Sequence, residues 1–337
     1  MNYSIWVTAK CNLGCKYCYE GNEKLAQSMS LEIAREVVQY IERDYMRKYF
    51  GEELVINFHG GEPLLEVDLI YFFIKEIKKR NLNKEVYFSL TTNVTIMNDD
   101  IVNLLKDEQV EMTLSIDGMR ETHDKLRIYK NGLGTHKTVM KNAEQILKIS
   151  PNVRVRMTYD SETVYELEKN IKYLIDIGFH VIVPIENQFD TRWKYEDLEI
   201  LEKTITNIKQ YIAGTTVGVG ICDPIENRNK GKCRGGISGK HIYINGDIYP
   251  CMMVGGKEEF RIGNIHEGIR DEKIKKILSY SEHEHKECGE CQVKQVCDGN
   301  RCKIINKLVT GNYVLPSEIQ CSITNSIYKL NGRASMC

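Results

Sequence analysis

Cys11-Asn12-Leu13-Gly14-Cys15-Lys16-Tyr17-Cys18 is the stretch from which the rest of the chain is read. Its three cysteines have the spacing C-x3-C-x2-C and closely follow the short apolar run Ile5-Trp6-Val7. Thiolates are soft ligands, and clusters of them select iron–sulfur centres, zinc or copper(I). Three ligands so close together can grip one face of a compact cluster and leave a fourth position open. Open positions are where metal sites do chemistry rather than hold a fold. The plainer alternatives for these residues are a zinc site or three buried thiols.

The totals set the frame. At 337 residues the chain is long enough for two domains, or for one barrel with an appendage, and can bury a sizeable core. Its formal net charge is -1, which gives no electrostatic footprint for nucleic acid. No apolar run is long enough to cross a membrane. The first strand begins almost at Met1, so no signal peptide is expected and the chain is expected to be cytoplasmic. In that compartment its 12 cysteines are expected to be metal ligands or catalytic groups rather than disulfides.

Strand and helix alternate over the first two thirds. Tyr3 to Thr8, Leu54 to Phe58, Val86 to Leu90, Met112 to Ile116, Val153 to Tyr159 and Val181 to Ile185 read as strands. Each is followed by sequence with helical spacing, and the last helix runs to about Ile212. Ser30 can cap the first helix, whose apolar face is Ile33, Val37, Val38, Ile41 and Tyr45. Such alternation predicts an α/β fold with a parallel sheet and right-handed crossovers, in too few units to close an eight-unit barrel. The character changes near Thr215. From Cys222 the chain is rich in Gly and Cys with little helical period. His241 to Ile244 and Asp247 to Tyr249, joined by Asn245-Gly246, read as a hairpin with a tight primed turn. Asp271 to Tyr280 reads as a short helix. The expected domains are 1-214 and 215-337.

Polar motifs fall at the strand ends, where parallel barrels place their chemistry. Asn57-Phe58-His59-Gly60-Gly61-Glu62-Pro63 follows strand two: the glycines allow close backbone approach, and a carboxylate can accept from an ammonium. Thr91-Thr92-Asn93 ends strand three. Leu114-Ser115-Ile116-Asp117-Gly118 ends strand four, before His123-Asp124, Arg127 and Gly132-x-Gly134-Thr135. Arg154 and Arg156 share one face of strand five, where a guanidinium in a barrel interior would meet a carboxylate. A surface ion pair with Asp124 is the plainer role for Arg127, and a structural role at a helix end the plainer one for His123.

With the cysteine triplet and Tyr17, these motifs resemble those of the radical S-adenosylmethionine (radical SAM) enzymes, in particular the peptide and protein maturases. The resemblance implies a partial (β/α)6 TIM-like barrel, open on one side. It implies a [4Fe–4S] cluster on Cys11, Cys15 and Cys18 whose unique iron is chelated by SAM. It assigns SAM binding to Tyr17, Gly60, Gly61, Glu62, Asn93, Ser115 and Arg127.

The tail carries Cys233-x12-Gly246-x4-Cys251, then Cys288-x2-Cys291-x5-Cys297-x4-Cys302, then Cys321. This resembles the SPASM extension of radical SAM enzymes, a small Cys-rich domain with a β-hairpin and short helices. The family's last short spacing is three residues where this chain has four. The resemblance implies two auxiliary [4Fe–4S] clusters. Cys288, Cys291, Cys297 and Cys321 would hold one. Cys233, Cys251 and Cys302 would hold the other. Cys222 reads as the fourth ligand of that second set, as a hydrogen-atom donor beside the substrate, or as an inert thiol. Cys337 reads as a non-ligand thiol. A structural zinc module is the alternative for the tail.

The implied chemistry is reductive cleavage of SAM to a 5′-deoxyadenosyl radical, which takes hydrogen from unactivated carbon of a peptide or protein. Cys222 and Arg156 are the candidate catalytic residues. The expected partners are a ribosomally made peptide, which could pair with an exposed strand edge, an electron donor such as flavodoxin or ferredoxin, and a separate leader-binding protein. Nucleic acid and membrane are not expected. Thioether or other crosslinking is the leading reaction. Formylglycine formation of the anaerobic sulfatase-maturing type and peptide epimerisation are alternatives. Tyr249-Pro250-Cys251 is followed by Met252, where the sulfatase-activating members carry aspartate. The non-enzyme alternative is an iron–sulfur redox sensor or scaffold.

Overall fold

A computed structural model describes residues 1–21, 25–82, 85–224 and 231–332. Six successive strand–helix units run from the first strand to the seventh helix. They are β1 (Asn2–Thr8) with α1 (Leu31–Lys48), β2 (Leu54–Gly60) with α2 (Val67–Arg80), and β3 (Val86–Thr92) with α3 (Asp99–Lys106). Then come β4 (Glu111–Ser115) with α4 (Arg120–Leu126) and α5 (His136–Ile149), β5 (Arg154–Tyr159) with α6 (Leu167–Ile177), and β6 (Val181–Glu186) with α7 (Tyr195–Tyr211). Ser30 caps α1 by accepting the Ile33 N–H at 3.2 Å.

The single helix expected after strand four is two. Gly118 turns the chain at φ +106, and a short polar helix, α4, intervenes. Its seven residues give almost no apolar period to read.

Later elements are β7 (Gly218–Val219), β8 (Gly239–Ile242), β9 (Asp247–Tyr249), β10 (Gly263–Asn264), β11 (Gly268–Ile269), α8 (Asp271–Ser281), α9 (Asp298–Arg301), α10 (Lys303–Thr310) and α11 (Glu318–Asn331). The tail is thus more helical than its composition suggests. The hairpin turn also differs from expectation. Asn245 does not take positive φ; Gly246 does, at +82, and its N–H donates to Tyr243 O. This is a three-residue loop with a left-handed glycine, the geometry of a type I turn closed by a bulge, not a two-residue primed turn.

Contacts divide the chain into two units. The first comprises Met1–Leu114, Ile128–Ser150 and Arg234–Lys276, the second Ser115–Arg127, Pro151–Cys233 and Ile277–Cys337. In the first, strand order is β11-β10-β9-β8-β1-β2-β3-β4. Neighbours from β8 to β4 are parallel, and β8 through β11 pair antiparallel. The hairpin thus extends the parallel sheet through β8 beside β1. A buried polar knot fixes that junction. Lys240 of β8 is ion-paired with Asp44 of α1, which also accepts the Tyr3 hydroxyl at 2.6 Å. In the second unit β5, β6 and β7 are parallel neighbours.

Strands β2 and β5 each have two unlike faces, whereas Tyr3 to Thr8 of β1 are all buried. On β2, Leu54, Ile56 and Phe58 are buried, with Phe58 against Phe73 of α2, while Val55, Asn57 and His59 are half-buried. On β5, Val155, Met157 and Tyr159 are buried, whereas Arg154 and Arg156 are exposed. Parallel strands are usually covered on both sides. On β2 and β5 one face is apolar and buried, and the other is half-buried on β2 and partly exposed on β5. Asn57 donates to Ser89 across the half-buried face at 2.9 Å.

Candidate functional site

In the first unit the cysteine loop leaves β1 at Thr8 and is held by backbone. Leu13 bridges Tyr129, and the Gly14 N–H donates to Ile128 O at 2.8 Å. Cys11 is buried; Cys15, Tyr17 and Cys18 are half-buried. The Cys18 N–H donates to Cys15 O at 3.2 Å, a turn that folds the triplet on itself. The Cys11 sulfur accepts the Leu13 N–H at 3.4 Å and lies 4.0 Å from the Asn93 amide nitrogen. Donors directed at a sulfur favour its thiolate, so this loop suits a cluster ligand.

Gly60-Gly61-Glu62 is seated against the start of that loop. The N–H groups of Gly61 and Glu62 donate to Thr8 O at 3.2 Å and Lys10 O at 2.9 Å. A Cβ on Gly60 would stand 2.2 Å from Thr8 O, and one on Gly61 2.4 Å from Lys10 O. Only glycine allows this approach. The Glu62 side chain is 1% exposed. Its carboxylate accepts from the Leu64 N–H (3.1 Å), the Thr92 hydroxyl (2.8 Å) and the Asn93 N–H (2.7 Å). It therefore fastens the end of β2 to the end of β3.

Asn93 engages its side chain within the same region. Its NH2 donates to Asn12 Oδ1 at 2.8 Å, and its Oδ1 accepts from the Thr95 N–H and hydroxyl at 3.0 and 2.6 Å. Val94 follows at φ +63, fully buried, a costly conformation for a β-branched residue. Strain of this kind persists where surrounding bonds overdetermine it. Here Asn142 donates to Val94 O at 2.8 Å, and the Val94 N–H donates to the Thr92 hydroxyl at 3.1 Å.

His59 has a role that its place in the sequence does not announce. Its Nδ1 accepts the Gly60 N–H at 2.7 Å, so the neutral ring carries its proton on Nε2, which lies 3.2 Å from the Tyr19 hydroxyl. Its ring lies against Trp6 at 4.1 Å.

In the second unit, Ser115 ends β4 half-buried, and Arg127 is buried at the end of α4. Asp124 is 3.5 Å from Arg120. His123 is fully buried, and its Nδ1 accepts the Asp117 N–H at 3.3 Å. Asp117 in turn accepts the Thr158 N–H at 2.9 Å. Asn170 accepts the Met119 N–H and donates to Thr122, bolting the turn at Gly118 to α6.

Cys222 is buried, and its S–H donates to Ile205 O of α7 at 3.8 Å. Cys222, Cys233 and Cys302 belong to the second unit and Cys251 to the first. The second unit also brings together Cys288, Cys291, Cys297 and Cys321. Burial pushes the Cys321 thiol up to about 11, and negative charge on Cys297, Cys288 and Cys291 adds to it. Burial likewise raises Cys288, followed by Cys297 and Cys291. Four thiols from a turn, a helix start and α11 thus lie near enough to feel one another's charge. The eleven described cysteines are thiols, not disulfides. Among the described residues no three His, Cys, Asp or Glu side chains converge tightly enough for a single ion. Cys337 lies outside the described residues.

The family model of the Radical SAM superfamily matches residues 5–174. The cysteine-type anaerobic sulfatase-maturating enzyme of Clostridium novyi is 24% identical over 324 residues, covering 86% of this chain and 84% of that protein. Native anSMEcpe with bound AdoMet and Cp18Cys peptide has the same fold at a TM-score of 0.81 and 21% identity, covering 98% of this chain and 96% of that one. Streptococcus suis SuiB bound to precursor peptide SuiA matches at 0.66 and 17% identity, covering 95% and 75%.

Proposed function

The chain belongs to the radical SAM superfamily, and from that premise we propose that it is a maturase of ribosomally made peptides, using SAM and three [4Fe–4S] clusters to form a thioether or other crosslink. Cys11, Cys15 and Cys18 would hold the cluster, which with SAM would supply the means of removing hydrogen from an unactivated carbon. The observation that carries the reading is the seating of Gly60-Gly61-Glu62, backbone to backbone, on the strand end that leads into Cys11. A cluster held by Cys11, Cys15 and Cys18 and a ligand lying along residues 60 to 62 would then be neighbours by construction. The Glu62 carboxylate is 1% exposed and engaged by three donors, so the backbone carbonyls of that segment would be the more accessible acceptors for the methionine ammonium. Ser115 and Arg127 remain the assigned SAM contacts of the second unit. Asn93 acts on the cysteine loop through Asn12 and Cys11.

The exposed guanidinium of Arg156, on the polar face of β5, is suited to an incoming peptide's carboxylate or carbonyl. Cys288, Cys291, Cys297 and Cys321 are assigned to one auxiliary cluster, and Cys233, Cys251 and Cys302 to the other. The S–H bond of Cys222 to Ile205 fits a packed thiol better than a ligand. Solved proteins of this fold carry peptides, a Cp18Cys peptide in anSMEcpe and the precursor SuiA in SuiB, which favours a peptide here.

The test is anaerobic reconstitution followed by SAM, dithionite and short peptides encoded beside the gene. Formation of 5′-deoxyadenosine with loss of a hydrogen pair from a peptide supports crosslinking. Intact clusters without 5′-deoxyadenosine would leave only the sensor. Formylglycine formation is the second reading, favoured by the likeness to the Clostridium novyi enzyme and opposed by Met252 after Cys251. A cysteine-containing sulfatase peptide converted to an aldehyde would establish it.

A further inference from the structure

Arg154 and Arg156 project to the same side of β5, and both are exposed. Among the described residues neither guanidinium has a hydrogen bond or an ion pair. Two rows run from them across the sheet of the second unit. Register sets Arg154 beside Val181 and Val181 beside Gly218, and it sets Arg156 beside Val183. Gly220 continues the second row, for a Cβ on it would stand 3.5 Å from Cγ1 of Val183. On β6 Val181, Val183 and Ile185 are half-buried on this face, while Ile182 and Pro184 are buried on the other. The face therefore carries two guanidiniums along one strand, valine methyls along the next, and glycines along the edge strand β7. The usual cover of a parallel sheet is an apolar helix. Two unpaired guanidiniums line such a cover poorly, and they suit a ligand with negative charge. The strand also leads to a region already described: the N–H of Ile116, directly after Ser115, donates to Arg156 O at 3.1 Å.

We propose that Arg154 and Arg156 select peptides with carboxylate side chains at alternate positions, an acidic-x-acidic pattern with one carboxylate to each guanidinium. Same-face neighbours on a strand are about 6.6–6.8 Å apart, and an extended peptide repeats its own side chains at that interval. A peptide lying along β5 thus brings two alternate residues opposite the two arginines, with Val181 and Val183 as an apolar floor beside it. Directly adjacent acidic residues point to opposite sides of an extended chain, so only one of them meets a guanidinium. Arginine suits the task because its planar fork can take a carboxylate through two N–H groups at once. The inference rests on the reading that the substrate is a peptide, and it names the class of peptide.

The experiment measures fluorescence anisotropy of short labelled peptides on the full chain, reconstituted anaerobically with SAM present. The peptides share a sequence of Gly, Ser and Ala and carry Glu-x-Glu, adjacent Glu-Glu, a single Glu, Gln-x-Gln or Lys-x-Lys. Glu-x-Glu should bind at least about tenfold tighter than Gln-x-Gln, and at least about threefold tighter than Glu-Glu or the single Glu. Arg154→Gln and Arg156→Gln should each erase the advantage of Glu-x-Glu over the single Glu. The two together should erase its advantage over Gln-x-Gln. Arg154→Glu combined with Arg156→Glu should move the preference to Lys-x-Lys, a gain that a misfolded chain cannot show. Equal binding of Glu-x-Glu and Gln-x-Gln to wild type overturns the proposal, as does a preference that survives the double Gln substitution, or failure of every peptide to bind. Equal binding of Glu-x-Glu and the single Glu also overturns it, both arginines then gripping one carboxylate. Anisotropy needs no turnover. Peptides that bind as expected, with no 5′-deoxyadenosine formed on reduction, would sink the maturase reading and leave this one standing.

Discussion

The carboxylate of Glu62 accepts the backbone N–H of Asn93 at 2.7 Å, so the residue that ends the Gly-Gly turn also holds the loop that directs an amide at Cys11. Glu62→Ala removes one acceptor from three buried donors. Loss of about 2–4 kcal/mol of stability is expected, the cost of buried groups left unsatisfied. It should appear as a lower urea midpoint of the metal-free chain, with SAM cleavage abolished. Glu62→Gln should recover part of the stability, because its carbonyl can accept from two of the three.

Gly61→Ala places a methyl 2.4 Å from Lys10 O, and the collision is with backbone, which cannot rotate away. The expected outcome is displacement of the cysteine loop and loss of about four iron per chain, one cube's worth. Iron bound by the cysteines of the tail, on the reading proposed above, should be retained. Iron analysis with electron paramagnetic resonance of the reduced protein checks both halves.

Lys240 and Asp44 form a buried ion pair beneath β1. Lys240→Met leaves a buried carboxylate supported by Tyr3 and by Lys48 at 3.5 Å. A loss of about 2–4 kcal/mol is expected, somewhat below the usual cost of breaking a buried pair because those partners remain. Adding Asp44→Asn removes the uncompensated charge and should return part of the loss. Thermal or urea midpoints of the two variants decide this.

Asp190 carries a pH prediction. Burial acts to raise its carboxyl, but hydrogen bonds from Arg192, from the Ser161 hydroxyl and from the N–H groups of both residues outweigh it and hold the group at about 2. A folded value below the unfolded one means the contribution is complete above the unfolded value near 3.8 and disappears as pH falls through about 2. Asp190→Asn should therefore cost about 1–2 kcal/mol near neutrality, a modest figure because Arg192 is exposed to solvent. The gap from wild type should close between about pH 4 and pH 2. Urea midpoints across that range test the sign.

The six strand–helix units could be read from residues such as Val37, Ile41, Ile56 and Phe58 because helices and strands bury at different periods, and period is visible in one dimension. The cysteine triplet and Gly60-Gly61 were legible for a related reason: short spacings need no tertiary knowledge. What could not be read is polar and distant. Nothing near Gly118 announces that Asn170, some fifty residues on, will fill the space where its side chain would be. Val94 looks like ordinary strand sequence, yet sits at positive φ because Thr92 and Asn142 hold it there. α11 was obscured by cysteine-rich composition, although Ile323 lies on its buried face. Lys303 reads as one more surface lysine until its burial is known.

The unlike faces of the strands separate two burdens that many proteins place on the same residues. Leu54, Ile56 and Phe58 carry the apolar cohesion, while Val55, Asn57 and His59 are only half-buried. On a strand such as β2, variation at every second position therefore spares the buried face. Directed evolution toward new peptides would do well to confine its libraries to those alternate positions and leave the intervening ones untouched.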